Sequence, residues 1–202
     1  QGAIATDGDG YGVWMDSPST GSIAKIATAD AMPTDIAVAS ESSGSLRAAV
    51  WSEPTDGGSS QVVKLAVVNP PGGVIGGVMT VSESDGIHGD TQVVMMDGGA
   101  VPSALVVWAG PDATGTSAIF GRWYRATPVQ PITDIIQLNV ASGAATAPRV
   151  VTMDGVATVS WLRDGDIYAR RFQHDGVPVA PPFDLDQFEG EDAWYVFEAP
   201  AA

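Results

Sequence analysis

The amino-acid sequence predicts an all-β fold, and three observations support this prediction. Val, Ile and Thr, which favour strands, are plentiful. The 202 residues include 24 Gly and 14 Pro, as expected for short strands joined by many turns. Similar segments also recur along the chain. The hydrophobic content of 45% is sufficient for a packed core, and no apolar stretch approaches the length of about 18 residues that a transmembrane helix needs.

Four repeats divide the chain, and each has a tryptophan at the end of its second predicted strand. The segment RVVTMDGVATVSW ends at Trp161 and has a close copy in QVVMMDGGAVPSALVVW, which ends at Trp108. Two looser copies, AIATDGDGYGVW and DIAVASESSGSLRAAVW, end at Trp14 and Trp51. We therefore expect one domain whose repeats span approximately residues 1–32, 33–90, 91–147 and 148–190.

Each full repeat contains four short apolar segments in the same order. The VV-x-MDG segment predicts a first strand, and its Asp-Gly turn leads to a second strand that ends in Trp. The third and fourth strands are predicted at VVKLAV (62–67) and VMTVS (78–82), IFGRWY (119–124) and IIQLN (135–139), and IYARRF (167–172) and FDLD (183–186). The first repeat lacks a recognisable fourth strand. The segment EDAWYVFEAP (191–200) is predicted to be a closing strand for that repeat, or a tail.

Antiparallel strands repeated in groups of four, roughly every 50–60 residues, are typical of the blades of a β-propeller. Such a blade has two apolar faces and must stack on neighbours to bury both. The sequence therefore predicts a β-propeller of about four four-stranded blades, with Trp14, Trp51, Trp108 and Trp161 in the core between blades. The alternatives are a fragment of a larger propeller, a ring completed by another chain, and a β-sandwich.

The repeat unit resembles a repeat of large secreted bacterial proteins. The residues that carry the resemblance are VVTMDG, VATVSW, DIYARRF and DGVPVAPPFDL, which are similar to tandem copies of a DGG–hydrophobic–W and IYAQRFDADG-x-P theme. The resemblance covers residues 92–185 well and the first part of the chain loosely. It implies sialidase-like propeller blades, an exported bacterial protein and neighbouring calcium-binding repeats. It implies no catalytic residue, because the repeat theme is a packing pattern. The S-x-D-x-G-x-T-W box of sialidases is absent, which argues against a direct assignment as a sialidase.

Charge and composition exclude several classes of partner. The formal net charge is −15, with 24 acidic and 9 basic residues. Nucleic acids and anionic membranes attract clustered Lys and Arg, so neither is an expected partner. The chain has no cysteine, which excludes disulfides, thiol catalysis and Cys-ligated zinc. We expect a secreted, extracellular protein whose chain, beginning at Gln1, is a mature or trimmed product.

Five residues are candidates for ligand binding. Trp194 and Tyr195 lie among acidic residues and are predicted to form a ledge for a sugar ring, with a terminal strand as the alternative. His88 lies in the glycine-flanked segment DGIHGD. Arg122 and Arg170 occupy equivalent places in two repeats. They are interpreted either as a clamp for a substrate carboxylate or as a repeated structural ion pair with the hairpin Asp.

Metal binding and catalysis have weaker sequence signals. Asp7, Asp9, Asp164 and Asp166 belong to Asp-Gly runs that resemble fragments of calcium loops. A complete loop needs six or more oxygen ligands, so hairpin turns are the simpler interpretation and weak surface calcium is the alternative. No other cofactor is predicted. No nucleophile elbow, phosphate-binding loop or clustered histidine predicts a catalytic residue.

The function predicted from these observations is a secreted, non-catalytic binding or assembly module. Its ligand would be a carbohydrate or an extracellular protein, held by rim loops of unequal length at 54–60 and 112–117. One alternative is a glycosidase-like or sialidase-like hydrolase, or one chain of a processed enzyme. The other is a structural subunit of an extracellular assembly, which would associate with itself or with another chain.

Overall fold

The structure is a computed structural model of the chain. It describes residues 2–7, 10–17, 22–29, 31–69, 73–83, 86–97, 99–139, 143–179 and 183–184. Within these residues the regular structure consists of β-strands and one short 3-10 turn at Asp56–Gly58, without any α-helix. No helix in this part of the chain has the length and apolar character needed to cross a membrane.

Sixteen strands form four separate sheets. The first sheet contains β1 (Gly2–Asp7), β2 (Gly10–Ser17) and β3 (Ser22–Ala29). The second contains β4 (Thr34–Ser40), β5 (Arg47–Thr55), β6 (Ser60–Asn69) and β7 (Gly73–Thr80). The third contains β8 (Gly89–Met96), β9 (Ser103–Pro111), β10 (Ser117–Ala126), β11 (Val129–Pro131) and β12 (Ile136–Gln137). The fourth contains β13 (Ala145–Met153), β14 (Val156–Arg163), β15 (Asp166–Gln173) and β16 (Phe183–Asp184).

Each sheet is an antiparallel meander whose strands pair in chain order. The prediction of an all-β fold with four antiparallel sheets is therefore confirmed. The third sheet differs from the prediction, because its outer edge is shared by two short strands, β11 and β12, which both pair with β10. In the second sheet the fourth strand begins at Gly73, five residues before the predicted start at Val78.

Asp-Gly turns close two hairpins of the fourth sheet, as the sequence predicts. Asp154 and Gly155 have φ angles of 52° and 74°, and Asp164 and Gly165 have φ angles of 56° and 95°. Positive φ at both central residues is the geometry of a two-residue hairpin turn, and Asp followed by Gly tolerates it well. The segment at Asp164 is therefore a tight turn between β14 and β15.

Three apolar seams join the sheets in chain order. Trp51 lies in the seam between the first and second sheets, Trp108 in the next seam, and Trp161 in the seam between the third and fourth sheets. These three tryptophans are no more than 2% exposed, so their predicted role as core between sheets is confirmed. Trp14 is half-buried and is not part of the first seam cluster, because its neighbours Val13 and Met15 face that seam.

The central strands are buried on both faces, which explains their unbroken apolar sequences. In β9, Ala104, Val106 and Trp108 pack against the second sheet. Leu105 and Val107, which alternate with them, pack against the fourth sheet. Side chains alternate between the faces of a strand, so one strand contributes to two seams.

Polar contacts between backbone and side chains repeat at two of the seams. Arg122 donates from Nη1 to the carbonyl of Val81 in the preceding sheet at 3.5 Å. Arg170, at the equivalent position, donates to the carbonyl of Leu138 at 3.3 Å. Both acceptors lie just after the fourth-strand region of the preceding sheet. The two arginines therefore join neighbouring sheets through carbonyl oxygens, whereas the sequence suggested an ion pair with a hairpin Asp.

Trp108→Ala is predicted to lower the free energy of unfolding by about 3–5 kcal/mol, because it leaves a large cavity in a closed seam. Trp14→Ala removes the same side chain from a half-buried position and is expected to cost about 1–2 kcal/mol. Urea unfolding followed by circular dichroism measures both. Equal losses for the two variants, measured on the monomeric chain, would contradict the seam assignment.

Candidate ligand cleft

A cleft of about 610 Å³ opens between the second and third sheets. It lies at the rim where the first strand of each sheet begins, and we call it the rim cleft. Its lining comes from the starts of β4, β6 and β8, the end of β9, and the loops before β8 and after β9. The lining residues are Asp35, Gln61, Gly86, Ile87, Gly89, Asp90, Ala109, Gly110, Pro111, Gly115 and Ser117.

Two aspartates enter the cleft from equivalent positions in the second and third sheets. Asp35 and Asp90 both have a φ of 52° and both lie where the register of the first strand shifts. The Oδ2 atom of Asp35 accepts a hydrogen bond from the backbone N–H of Asp90 at 3.3 Å. The Thr91 hydroxyl donates to the carbonyl oxygen of Asp35. The two first strands are thus joined directly beneath the cleft.

The corresponding position in the fourth sheet carries no carboxylate. Ala147 has a φ of 51° at the shift in β13. A β-branched or bulky residue would be strained at such a φ, whereas Asp adopts it more readily. The backbone geometry is therefore common to three sheets, but the paired carboxylates belong to the second seam.

The loop 112–116, next to the cleft, is held together by one carboxylate. Oδ1 of Asp112 accepts hydrogen bonds from the Thr114 hydroxyl at 2.6 Å, the Thr114 N–H at 2.8 Å and the Thr116 N–H at 3.0 Å. These donors, above all the Thr114 hydroxyl, hold the pKa of Asp112 below its usual value. The predicted recognition loop is thus an ordered turn with Gly115 at the edge of the cleft.

His88 lies beneath the surface of the rim cleft. Its side chain is 5% exposed and packs on Gly110, where any Cβ would clash with the imidazole ring. The adjoining loop is fixed to the second sheet by a hydrogen bond from the Gln61 N–H to the Gly86 carbonyl at 2.9 Å. His88 therefore lies near the predicted recognition surface, but its ring is a packing element beneath that surface.

The chemistry of the lining favours hydroxyl groups or cations. Asp35 and Asp90 supply acceptors, while Gln61 and Ser117 supply both donors and acceptors. Ile87, which is 63% exposed, and Pro111 add apolar surface. Among the described residues of the lining there is no Lys, Arg or His, so an anionic ligand would meet their carboxylates without a compensating positive charge.

The other sequence-predicted residues that the structure describes are not part of the lining of this cleft. Arg122 and Arg170 make the seam contacts described above. Trp194, Tyr195 and Asp9 lie outside the described residues, and Asp7 ends β1.

The predicted calcium sites fall on hairpins. Asp164 is in a tight turn with its carboxylate 3.9 Å from Nε of Arg163, and Asp166 begins β15. Among the described side chains, no group of three or more His, Cys, Asp or Glu is arranged to hold a metal ion. Calcium binding stays a prediction.

Sequence reasoning did not select Asp35, Asp90 or Gln61. The available signal was the recurrence of Asp near the start of two first strands, in TDIAVAS and GDTQVV. The repeats begin with different residues on either side of that Asp. The equivalence becomes visible only when the strands are aligned through their pairing with the second strand of each sheet.

Comparison with known proteins adds no family to this description. No model of a protein family matches the chain, and no curated protein matches it significantly. The geometry of the chain itself is therefore what bears on its function.

Thr114→Val is predicted to raise the pKa of Asp112 toward its usual value, because it removes the strongest donor. The folded-state pKa of Asp112 is lowered, so its carboxylate contributes stability above the unfolded-state pKa. That contribution is lost as the pH falls through the folded-state value. NMR titration of the Asp112 carboxyl group measures the change. Thr116→Val, whose hydroxyl contacts Thr114 and not Asp112, is the control; an equal rise there would contradict this account.

Proposed function

We propose that the protein is a secreted, non-catalytic binding module that holds a neutral carbohydrate in the rim cleft. The observation that carries the proposal is the lining, whose described residues supply two carboxylates, an amide and a hydroxyl beside apolar surface and include no basic residue. Sugar hydroxyls are donors as well as acceptors and match such a mixture. Because the lining is acidic and the formal net charge is −15, sialylated or sulfated sugars would be repelled.

We also propose that the four sheets are blades of a propeller-like arc. Two features support it. The sheets are meanders of the size of a blade, and their first strands lie side by side, β1 against β4, β4 against β8, and β8 against β13. In a propeller the inner strands of adjacent blades are neighbours in this way, and ligands are bound by the loops at a rim.

A protein partner with an exposed Lys or Arg is the second candidate ligand. The same two carboxylates favour it, since a cation between Asp35 and Asp90 would gain charge-assisted hydrogen bonds. The two ligands differ in their response to salt. Affinity for a basic segment falls steeply as ionic strength rises, whereas affinity for a neutral sugar changes little.

Asp90→Asn tests the cleft directly. The amide retains the shape of the side chain, tolerates positive φ and removes the charge. We expect the variant to bind a ligand identified on a glycan array at least about 10-fold more weakly, a loss of about 1.4 kcal/mol. Titration calorimetry measures the affinity.

Asp154→Asn is the matched control, since Asp154 also has a φ of 52° and is exposed, but lies in a hairpin turn outside the lining of the rim cleft. Equal weakening by both variants would contradict the proposal. So would an array on which acidic glycans bind best. Hydrolysis of chromogenic glycosides that is lost in Asp90→Asn would establish an enzyme and overturn the non-catalytic assignment.

A further inference from the structure

The three internal seams are built to one plan. Two consecutive sheets meet in each seam. The later sheet contributes the face that bears its tryptophan, and the earlier sheet contributes the face opposite its own tryptophan. In the third seam, for example, Trp161 and Phe172 of the fourth sheet pack with Trp123 of the third, and the ring centroids of Trp123 and Phe172 are 5.3 Å apart. Every such seam therefore joins two unlike faces.

The first sheet has a tryptophan face that none of these seams uses. Trp14 lies on the face opposite Val13 and Met15, which are buried against the second sheet. It is half-buried and lies over Gly12, where any Cβ would clash with the indole. Ala3, its partner across β1 and β2, is exposed. We call this surface the Trp14 face.

The fourth sheet has the complementary surface, which we call the open face. It carries the apolar side chains of Val151, Met153, Leu162 and Ile167, which are 43%, 62%, 41% and 37% exposed, together with Arg149 and Arg171. A groove of about 470 Å³ runs along it, lined in part by Val151, Leu162 and Ile167. Exposed apolar side chains concentrated on one sheet face mark an interaction surface.

The open face corresponds to a face that is covered elsewhere in the molecule. Leu162 follows the seam tryptophan of its strand, as Ala109 does in the third sheet. Ile167 pairs with Leu162 as Ile119 pairs with Ala109. In the third sheet Ala109 and Ile119 are buried against the fourth sheet. The three seams thus show what covers a face of this kind: the tryptophan face of a following sheet.

Within the described residues, no sheet of the same chain covers the open face. There the sheets contact one another in chain order, and no comparable contact joins the fourth sheet to the first. We infer that the open face binds the Trp14 face of a second copy of this chain. Two copies related by a two-fold axis form two identical seams and leave neither face exposed. Four sheets from each copy then give a ring of about eight, within the range of known propellers.

The first test is the mass of the full chain in solution as a function of concentration, measured by analytical ultracentrifugation. We expect a dimer. Leu162→Glu on the open face and Ala3→Glu on the Trp14 face are each expected to raise its dissociation constant more than about 10-fold, because each places a charge in an apolar seam. Ile132→Glu is the control, since Ile132 is 42% exposed but lies on neither face.

Mixing the two variants tests the pairing of unlike faces. Leu162→Glu retains its Trp14 face and Ala3→Glu retains its open face, so one seam can form between them. A mixture of the two should form mixed dimers more tightly than either variant dimerises alone; fluorescently labelled chains report this. Circular dichroism verifies that both variants are folded.

Three results would overturn the inference. The first is a monomer at all concentrations, as expected if the first sheet or residues 185–202 cover the open face within one chain. The second is a dimer that both variants leave intact. The third is a failure of the mixed variants to associate. None of these results bears on ligand binding at the rim cleft, which is measured separately.

Discussion

The structure depends on one constraint: the second and third sheets each have two apolar faces, and a single sheet cannot bury either of them. A β-strand alternates its side chains between faces, so β9 can be buried along almost its whole length only because sheets lie on both sides of it. Burial of that kind requires at least three sheets in a row. The tryptophans fill the seams because an indole is large enough to span the space between two backbones.

The same constraint positions the rim cleft. Stacking brings the first strands of neighbouring sheets side by side, so the carbonyl group and carboxylate of Asp35 meet Thr91 and the N–H of Asp90 across a seam. Both aspartates lie at a register shift near the start of their strand, where they have a positive φ and line the rim cleft. A cleft with paired carboxylates is therefore a consequence of two neighbouring sheets having Asp at one equivalent backbone position. Ala147 at that position makes the next seam different.

The arginines show how a residue type repeated along the sequence can follow from repeated packing between sheets. Arg122 and Arg170 are equivalent by sequence, and several arginines in repeated positions are typical of a clamp for an acidic substrate. In the structure each guanidinium donates to a carbonyl of the preceding sheet and lies near an aromatic ring of its own strand, Tyr124 and Phe172 respectively. Their repetition reflects the repeated seam, because the same gap between sheets recurs and needs the same donor.

The sequence by itself determined most of the strands, their order within each sheet and three of the four tryptophans predicted to fill the seams. Those features follow from local patterns: alternation, Asp-Gly turns with positive φ, and the spacing from third to fourth strand. Only the tertiary structure decided which faces meet and which stay open. Trp14 and Trp51 end similar segments, yet one is half-buried and the other fully buried. Their difference arises from the sheet that packs against each of them. A sheet that is distant along the chain cannot be inferred from the local residue pattern.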